Sequence, residues 1–199
     1  MTTSFDMAAD GSALEQSAAP MGGVLPSDHG LAAWTYDPLL TRANGVITAG
    51  TLYLAGIYLR ASVPLIRQLW WINGAGGTTV TASQNWAGLY RWDGILMGSV
   101  NVDNKNSVGG KSAILTSPVR NPIPGLYWVA LLWNGSNLPS MAKMDPSTFD
   151  AYCIGLGAQP GLYRFTANGT RLTALPGSIN PANNLNNPTV YPFWAAVSK

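Results

Sequence analysis

One cysteine, one histidine and a charged fraction of only 10% are what this chain of 199 residues has least of. The lone cysteine, Cys153, excludes an intrachain disulfide framework and any multi-cysteine zinc or iron–sulfur site, so stability must come from packing or assembly. Its setting, Ala-Tyr-Cys-Ile-Gly-Leu, holds no His, Lys or Arg to activate a thiolate and reads as a buried, inert thiol. The single histidine, His29, sits beside Asp28 with no cysteine near it, which cannot build a zinc site or a triad and reads as an exposed linker residue. Charged residues usually make up about a quarter of a soluble domain. The shortfall excludes a highly charged nucleic-acid binder, a coiled coil and an acidic disordered chain. No apolar run approaches the roughly 18 to 20 residues of a spanning helix; the longest, 126–133, is strand-sized, and no membrane span is expected. The first ten residues lack the cationic start and apolar block of a secretory signal and carry Asp6 and Asp10, which implies synthesis and retention in a cytoplasm.

Carboxylates are scarce where chemistry would need them. After residue 41 there are four, Asp93, Asp103, Asp145 and Asp150, and no Glu. Acid–base catalysis needs two that converge, whereas Asp93 belongs to a turn signal and Asp145 and Asp150 flank a possible helical turn. The glycines of 73–79 lack the Gly-Lys-Ser/Thr closure of a phosphate loop and read as a hairpin loop. Asn134-Gly-Ser and Asn168-Gly-Thr match a glycosylation acceptor pattern but coincide with turn signals. Arg60, Arg67, Arg91, Lys105, Lys111, Arg120, Lys143, Arg164 and Arg171 are scattered along the chain, without the stripe that phosphate binding rewards. The expectation is a chain that is not an enzyme and uses no catalytic residues, cofactor, metal or nucleic acid.

What charge there is divides unevenly. Asp6, Asp10, Glu15, Asp28 and Asp37 precede position 41 with no Lys or Arg among them, while the remainder holds eleven basic residues against four acidic ones. The first segment is rich in Ala, Ser, Gly and Pro and shows no period, so the expected organisation is an extended acidic arm, 1–40, and a β-sandwich domain, 41–199. The arm's anchors are Leu31, Trp34, Tyr36, Leu39 and Leu40.

Beyond the arm, Asn44-Gly45, Asn73-Gly74, Asp93-Gly94, Asn134-Gly135 and Asn168-Gly169 are dipeptides that suit tight hairpin turns. Between them lie runs rich in aromatic and β-branched residues at 51–60, 65–72, 86–92, 95–102, 111–119, 126–133 and 193–197. Gly and Pro recur too often for helices, and only 146–151, with Asp145 as cap, suits a turn or two. The predicted fold is all-β, a jelly-roll-like β-sandwich with an extended N-terminal arm.

The run 125–133, Gly-Leu-Tyr-Trp-Val-Ala-Leu-Leu-Trp, is apolar on both faces. A sandwich strand normally shows one face to water, so this one needs a second cover, from the arm, a loop or another subunit. Eight Trp and eight Tyr are the most informative surplus, since aromatic rings anchor interfaces and stack on sugars. In Trp70-Trp71, strand alternation sends one indole inward and the other outward. Trp34, Tyr36, Leu39, Trp70, Trp71 and Trp128 are the candidate interface residues, with the arm residues expected to anchor on another chain.

The runs Thr51-Leu-Tyr-Leu-Ala-Gly-Ile-Tyr-Leu-Arg60, Gln84-Asn-Trp-Ala-Gly-Leu-Tyr90, Gly125-Leu-Tyr-Trp-Val-Ala-Leu-Leu-Trp-Asn-Gly135 and Pro192-Phe-Trp-Ala-Ala196 together resemble β-sandwich modules in minor tail proteins of phages infecting actinobacteria. The resemblance covers roughly 45–197, marks strands and turns, and carries over no functional residues. It implies a virion structural protein on a tail, fibre or capsid, assembled in the host cytoplasm. The implied partners are other virion proteins, further copies in a homotrimer or other ring, and a host surface glycan. Capsid decoration and a carbohydrate-binding module are the alternatives.

Overall fold

The computed structural model describes residues 24–144, 159–185 and 192–199. The possible helical turn at 146–151, Asp145, Asp150 and Cys153 lie outside the described residues. Thirteen strands form the described chain: β1 (Ala33–Trp34), β2 (Ala43–Gly45), β3 (Leu52–Leu59), β4 (Leu65–Ala75), β5 (Thr79–Val80), β6 (Trp86–Arg91), β7 (Leu96–Asn101), β8 (Gly109–Arg120), β9 (Gly125–Leu132), β10 (Gly135–Asn137), β11 (Ser140–Lys143), β12 (Phe165–Ala167) and β13 (Ala195–Ser198). Short 3-10 turns are the only helical elements among them.

Eleven of the strands make an all-β sandwich of two antiparallel sheets, and β5 and β10 pair separately as a two-stranded antiparallel ribbon. In the first, the order is β1-β13-β4-β11-β2, with β8 also on β4. The long β4 takes β8 along one edge, while β13 and β11 share the other, at residues 68–71 and 73–75. The second sheet runs β12-β3-β9-β6-β7. Their inner faces meet in a core that includes Ile66, Leu69, Trp71, Leu115 and Val197 from the first sheet and Ile57, Leu89, Tyr127, Val129 and Leu131 from the second. Alternation in β4 explains the assignment: Leu69 and Trp71 are fully buried while their neighbours Gln68, Trp70 and Ile72 are partly exposed.

The seven long apolar runs of the sequence all form strands, but the turn signals behave differently. Only Asp93-Gly94 is a tight hairpin, joining β6 to β7, with Gly94 at φ +85. These are also the only consecutive described strands that pair with each other. Asn44-Gly45 lies within β2 and Asn73-Gly74 within β4. Asn134-Gly135 is where the chain leaves β9 for β10, and Asn168-Gly169 follows β12. The asparagine side chains explain the difference, because three of them are spent inside the fold. Asn73 is buried; its Oδ1 accepts from Trp71 Nε1 at 3.0 Å and its Nδ2 donates to the Lys105 and Ser107 carbonyls at 2.7 and 2.8 Å. Asn134 donates to the carbonyls of Gln84 and Leu172. Buried Asn168 donates to the Asn180 carbonyl and to Asn184 Oδ1.

The doubly apolar strand β9 receives its second cover from the chain itself. Outward Leu126, Trp128, Ala130 and Leu132 form a second buried cluster with Leu52, Leu54, Tyr90 and Ile179, against which Leu172 and Leu175 pack. The segment 159–185 therefore contributes β12 to the edge of the second sheet and lays its later residues, from Leu172 to Ile179, over that sheet as a third layer. Hydrogen bonds tie it down: Trp128 Nε1 to the Tyr163 carbonyl at 3.1 Å, Tyr90 OH to the Pro176 carbonyl at 2.7 Å, and Ile179 N to the Gly94 carbonyl at 2.9 Å.

Candidate interaction surface

Part of the predicted arm belongs to the sandwich. Ala33 and Trp34 pair with Val197 and Ala196, and the amides of Ala32 and Thr35 donate to the carbonyls of Val197 and Ala195. Tyr36 is a pin rather than a free anchor: its hydroxyl donates to the Pro192 carbonyl at 2.8 Å, its carbonyl accepts from Trp194 Nε1, and its ring meets Phe165 edge-on at 6.3 Å. Arg164 Nη2 donates to the Thr35 carbonyl. Residues 32–36 thus pack on the sandwich although they lie on the arm side of the expected division at 40/41. Trp34 and Tyr36 dock on their own head because β13 would otherwise leave an unpaired sheet edge there. Leu39, in the 3-10 turn Pro38–Leu40, remains 76% exposed.

Of the remaining tryptophans, Trp71 and Trp128 are fully enclosed by this chain and serve its core rather than a contact surface. Trp70 faces outward as alternation requires, and its Nε1 donates to Ser198 Oγ at 3.0 Å. Register places Trp34, Ala196, Trp70 and Ser112 in one row across the first sheet, where the two indoles flank a fully buried Ala196. His29, exposed as expected of it, lies with its ring 5.8 Å from that of Trp34.

The clearest exposed surface lies elsewhere, and the composition concealed it. Register shows that β3 ends, β9 begins, β6 ends and β7 begins at one end of the second sheet. There, Phe165 pairs with Ala55, so the residues preceding β12 arrive at the same end. Each of the five strands presents one large exposed apolar side chain at this end: Leu162 (52%), Tyr58 (47%), Ile123 (64%), Trp92 (60%) and Ile95 (44%), in strand order. A row of this kind marks a contact surface, whereas single exposed apolar residues need no explanation. The only signal in sequence was that Tyr58 lies at the end of a strand and the other four just beyond one.

Basic residues scattered along the sequence also gather here. Arg60 follows β3, while Arg120 ends β8 opposite Leu65 and Arg67 lies near the start of β4, both at the same end. These three have no ion-pair partner among the described residues. Arg91 differs: its guanidinium grips Asp93 through Nε and Nη2, which holds the Asp93 carboxyl below its ordinary range and raises Arg91. The opposite end is sealed by buried amides. Asn85 is fully buried, donating to the Thr81 carbonyl and to Asp103 Oδ1 while accepting from Asn134 N. Burial pushes the Asp103 carboxyl up, but hydrogen bonds from Asn85 and from Ser83 N outweigh it, and Asp103 titrates below its ordinary value.

Both described aspartates of the sandwich are thus occupied in loop structure, Asp93 in the hairpin and Asp103 in the Asn85 lock. Among the described residues, no three His, Cys, Asp or Glu side chains gather as a metal site, and no helix is long and apolar enough to cross a membrane. Comparison with protein-family models and with curated proteins finds no match for this chain.

Proposed function

We propose that this protein is a structural component of a phage particle, a minor tail or fibre protein that acts in several copies as a contact unit and catalyses nothing. The observation that carries the reading is the apolar rim of Leu162, Tyr58, Ile123, Trp92 and Ile95, set at one end of a layered body. Such a rim stabilises an assembly by burying apolar area, at about 25 cal/mol per Å², and in a closed ring of copies, a trimer in our reading, each interface buries it head to tail against a different surface of the next copy. The two runs most characteristic of the resemblance, Gln84–Tyr90 and Gly125–Gly135, supply the adjacent strands β6 and β9 at the centre of the sheet that bears the rim. Antibody labelling of purified particles under the electron microscope tests the proposal. Label at the tail supports it, label over the shell supports capsid decoration instead, and clean absence overturns it.

One observation favours a second reading, a module that binds a host surface glycan. Tyr58 pairs with Leu126 on the outer face of the sheet, and Trp92 continues β6 on the other side of β9, so two exposed rings flank one strand. Stacking on sugar rings is their natural alternative use. Glycan-array binding that disappears on Trp92→Ala would support this reading.

A further inference from the structure

Three features converge at the rim end of the sandwich. The rim itself is apolar and spans the five strands of the second sheet, about 19 Å at the usual strand spacing. It is bordered by Arg60, Arg67 and Arg120, which lack ion-pair partners among the described residues, whereas Arg91 is already taken by Asp93. Finally, the chain enters β1 from this end. Ser198 pairs with Gln68 near the start of β4, and Ala33 pairs with Val197, so the residues preceding β1 lead out toward the same end. The preceding 23 residues hold Asp6, Asp10 and Glu15, no Lys or Arg, and the apolar side chains Phe5, Met7, Leu14 and Met21.

We propose that the rim receives the acidic segment 1–23 of a second copy of this chain, so that copies are linked arm to rim. The inference rests on the reading of the protein as a multi-copy contact unit and names the occupant of its surface. Charge selects this occupant: a rim facing another rim would bring Arg60, Arg67 and Arg120 against their own counterparts, whereas the segment brings carboxylates to them and apolar side chains to Trp92 and Ile123. Reach is no obstacle, since 23 residues span up to about 80 Å when extended.

The experiment uses the full chain with Phe5 replaced by p-benzoylphenylalanine, irradiated and mapped by mass spectrometry, beside sedimentation of the unmodified chain. The expected result is covalent dimers whose cross-links fall on peptides holding Trp92, Ile95, Ile123 or Leu162. They should weaken at least fivefold in the Arg60→Glu/Arg120→Glu variant and in about 0.5 M salt, which screens exposed charges. Cross-links confined to single chains would overturn the proposal in favour of a segment seated on its own head. Cross-links on the Trp34–Trp70 face, with multi-copy mass retained, would overturn the rim as the seat while leaving the assembly reading intact. A monomer at every concentration would sink both.

Discussion

At the scale of single residues, the five turn dipeptides divide into one that bends the chain, three whose asparagines lock it, and Asn44-Gly45 in an edge strand, which does neither. Gly94 occupies the left-handed region, and a Cβ there would sit 2.0 Å from the Ile179 carbonyl oxygen. Gly94→Ala therefore combines left-handed strain of about 1–2 kcal/mol with a collision that pushes 159–185 off the sheet. The expected loss is about 2 kcal/mol or more, a fall of roughly 4–8 °C in the melting midpoint for a chain of this size, read by calorimetry. The Asn-Gly pairs respond to a different change. Asn73→Ala strands Trp71 Nε1 and two loop carbonyls, and should cost about 3 kcal/mol. Asn44→Ala, at an exposed position in the edge strand β2, should stay within about 0.5 kcal/mol. Equal losses for the two in denaturant titration would show that buried amide bonding is not what separates them. Nothing in an Asn-Gly dipeptide tells a turn from a buried lock, because the same short amide that tolerates a turn also bonds loop carbonyls when neighbouring strands enclose it.

At the scale of elements, the covering segment 159–185 makes a pH-dependent contribution that Tyr90 reports. Burial beneath the segment raises the Tyr90 hydroxyl above its ordinary 10.0, and this hydroxyl donates to the Pro176 carbonyl. The folded state thus holds its proton more tightly than the unfolded chain, so the stabilisation is fully present below pH 10.0 and is lost as pH rises through the higher folded value. The melting midpoint should be flat with respect to this group up to that pH and fall above it. Tyr90→Phe should lose about 1 kcal/mol at neutral pH and flatten the alkaline fall; an unchanged alkaline slope would rule Tyr90 out as its source. Part of the slope should remain, because burial also raises Tyr127. The strands themselves were legible: seven long runs of β-branched and aromatic residues became β3, β4, β6, β7, β8, β9 and β13. So was the need for a second cover on β9, though not its source. That cover is irregular chain held by Trp128, Tyr90 and Asn134 across 35 or more residues, and no local period announces such a layer. The short strands β1, β2, β5, β10, β11 and β12 escaped for a related reason, since each has at most four residues and is defined by its partner.

At the scale of the whole molecule, the sandwich has two unlike ends. One is closed by the buried amides of Asn85 and Asn168 with half-buried Asn134 between loops, and the other ends in exposed apolar side chains bordered by arginines. Composition could not show this polarity, because Leu162, Tyr58, Ile123, Trp92 and Ile95 are far apart in sequence and meet only through the order β12-β3-β9-β6-β7. The tryptophans divide by the same logic: the sequence candidates Trp71 and Trp128 serve the core, and Trp92, which was not among the candidates, serves the surface. This difference is measurable. Trp128→Ala empties a fully buried site and should cost about 3–5 kcal/mol. Trp92→Ser combined with Ile123→Ser alters only exposed side chains and should leave the melting midpoint nearly unchanged, within about 0.5 kcal/mol per site. The same double variant should bind markedly less apolar dye and show reduced self-association in sedimentation. A double variant that melts as early as Trp128→Ala would mean that the rim supports the fold. Unchanged stability with unchanged self-association would remove the rim from the contact between copies and leave the Trp34–Trp70 face to make it.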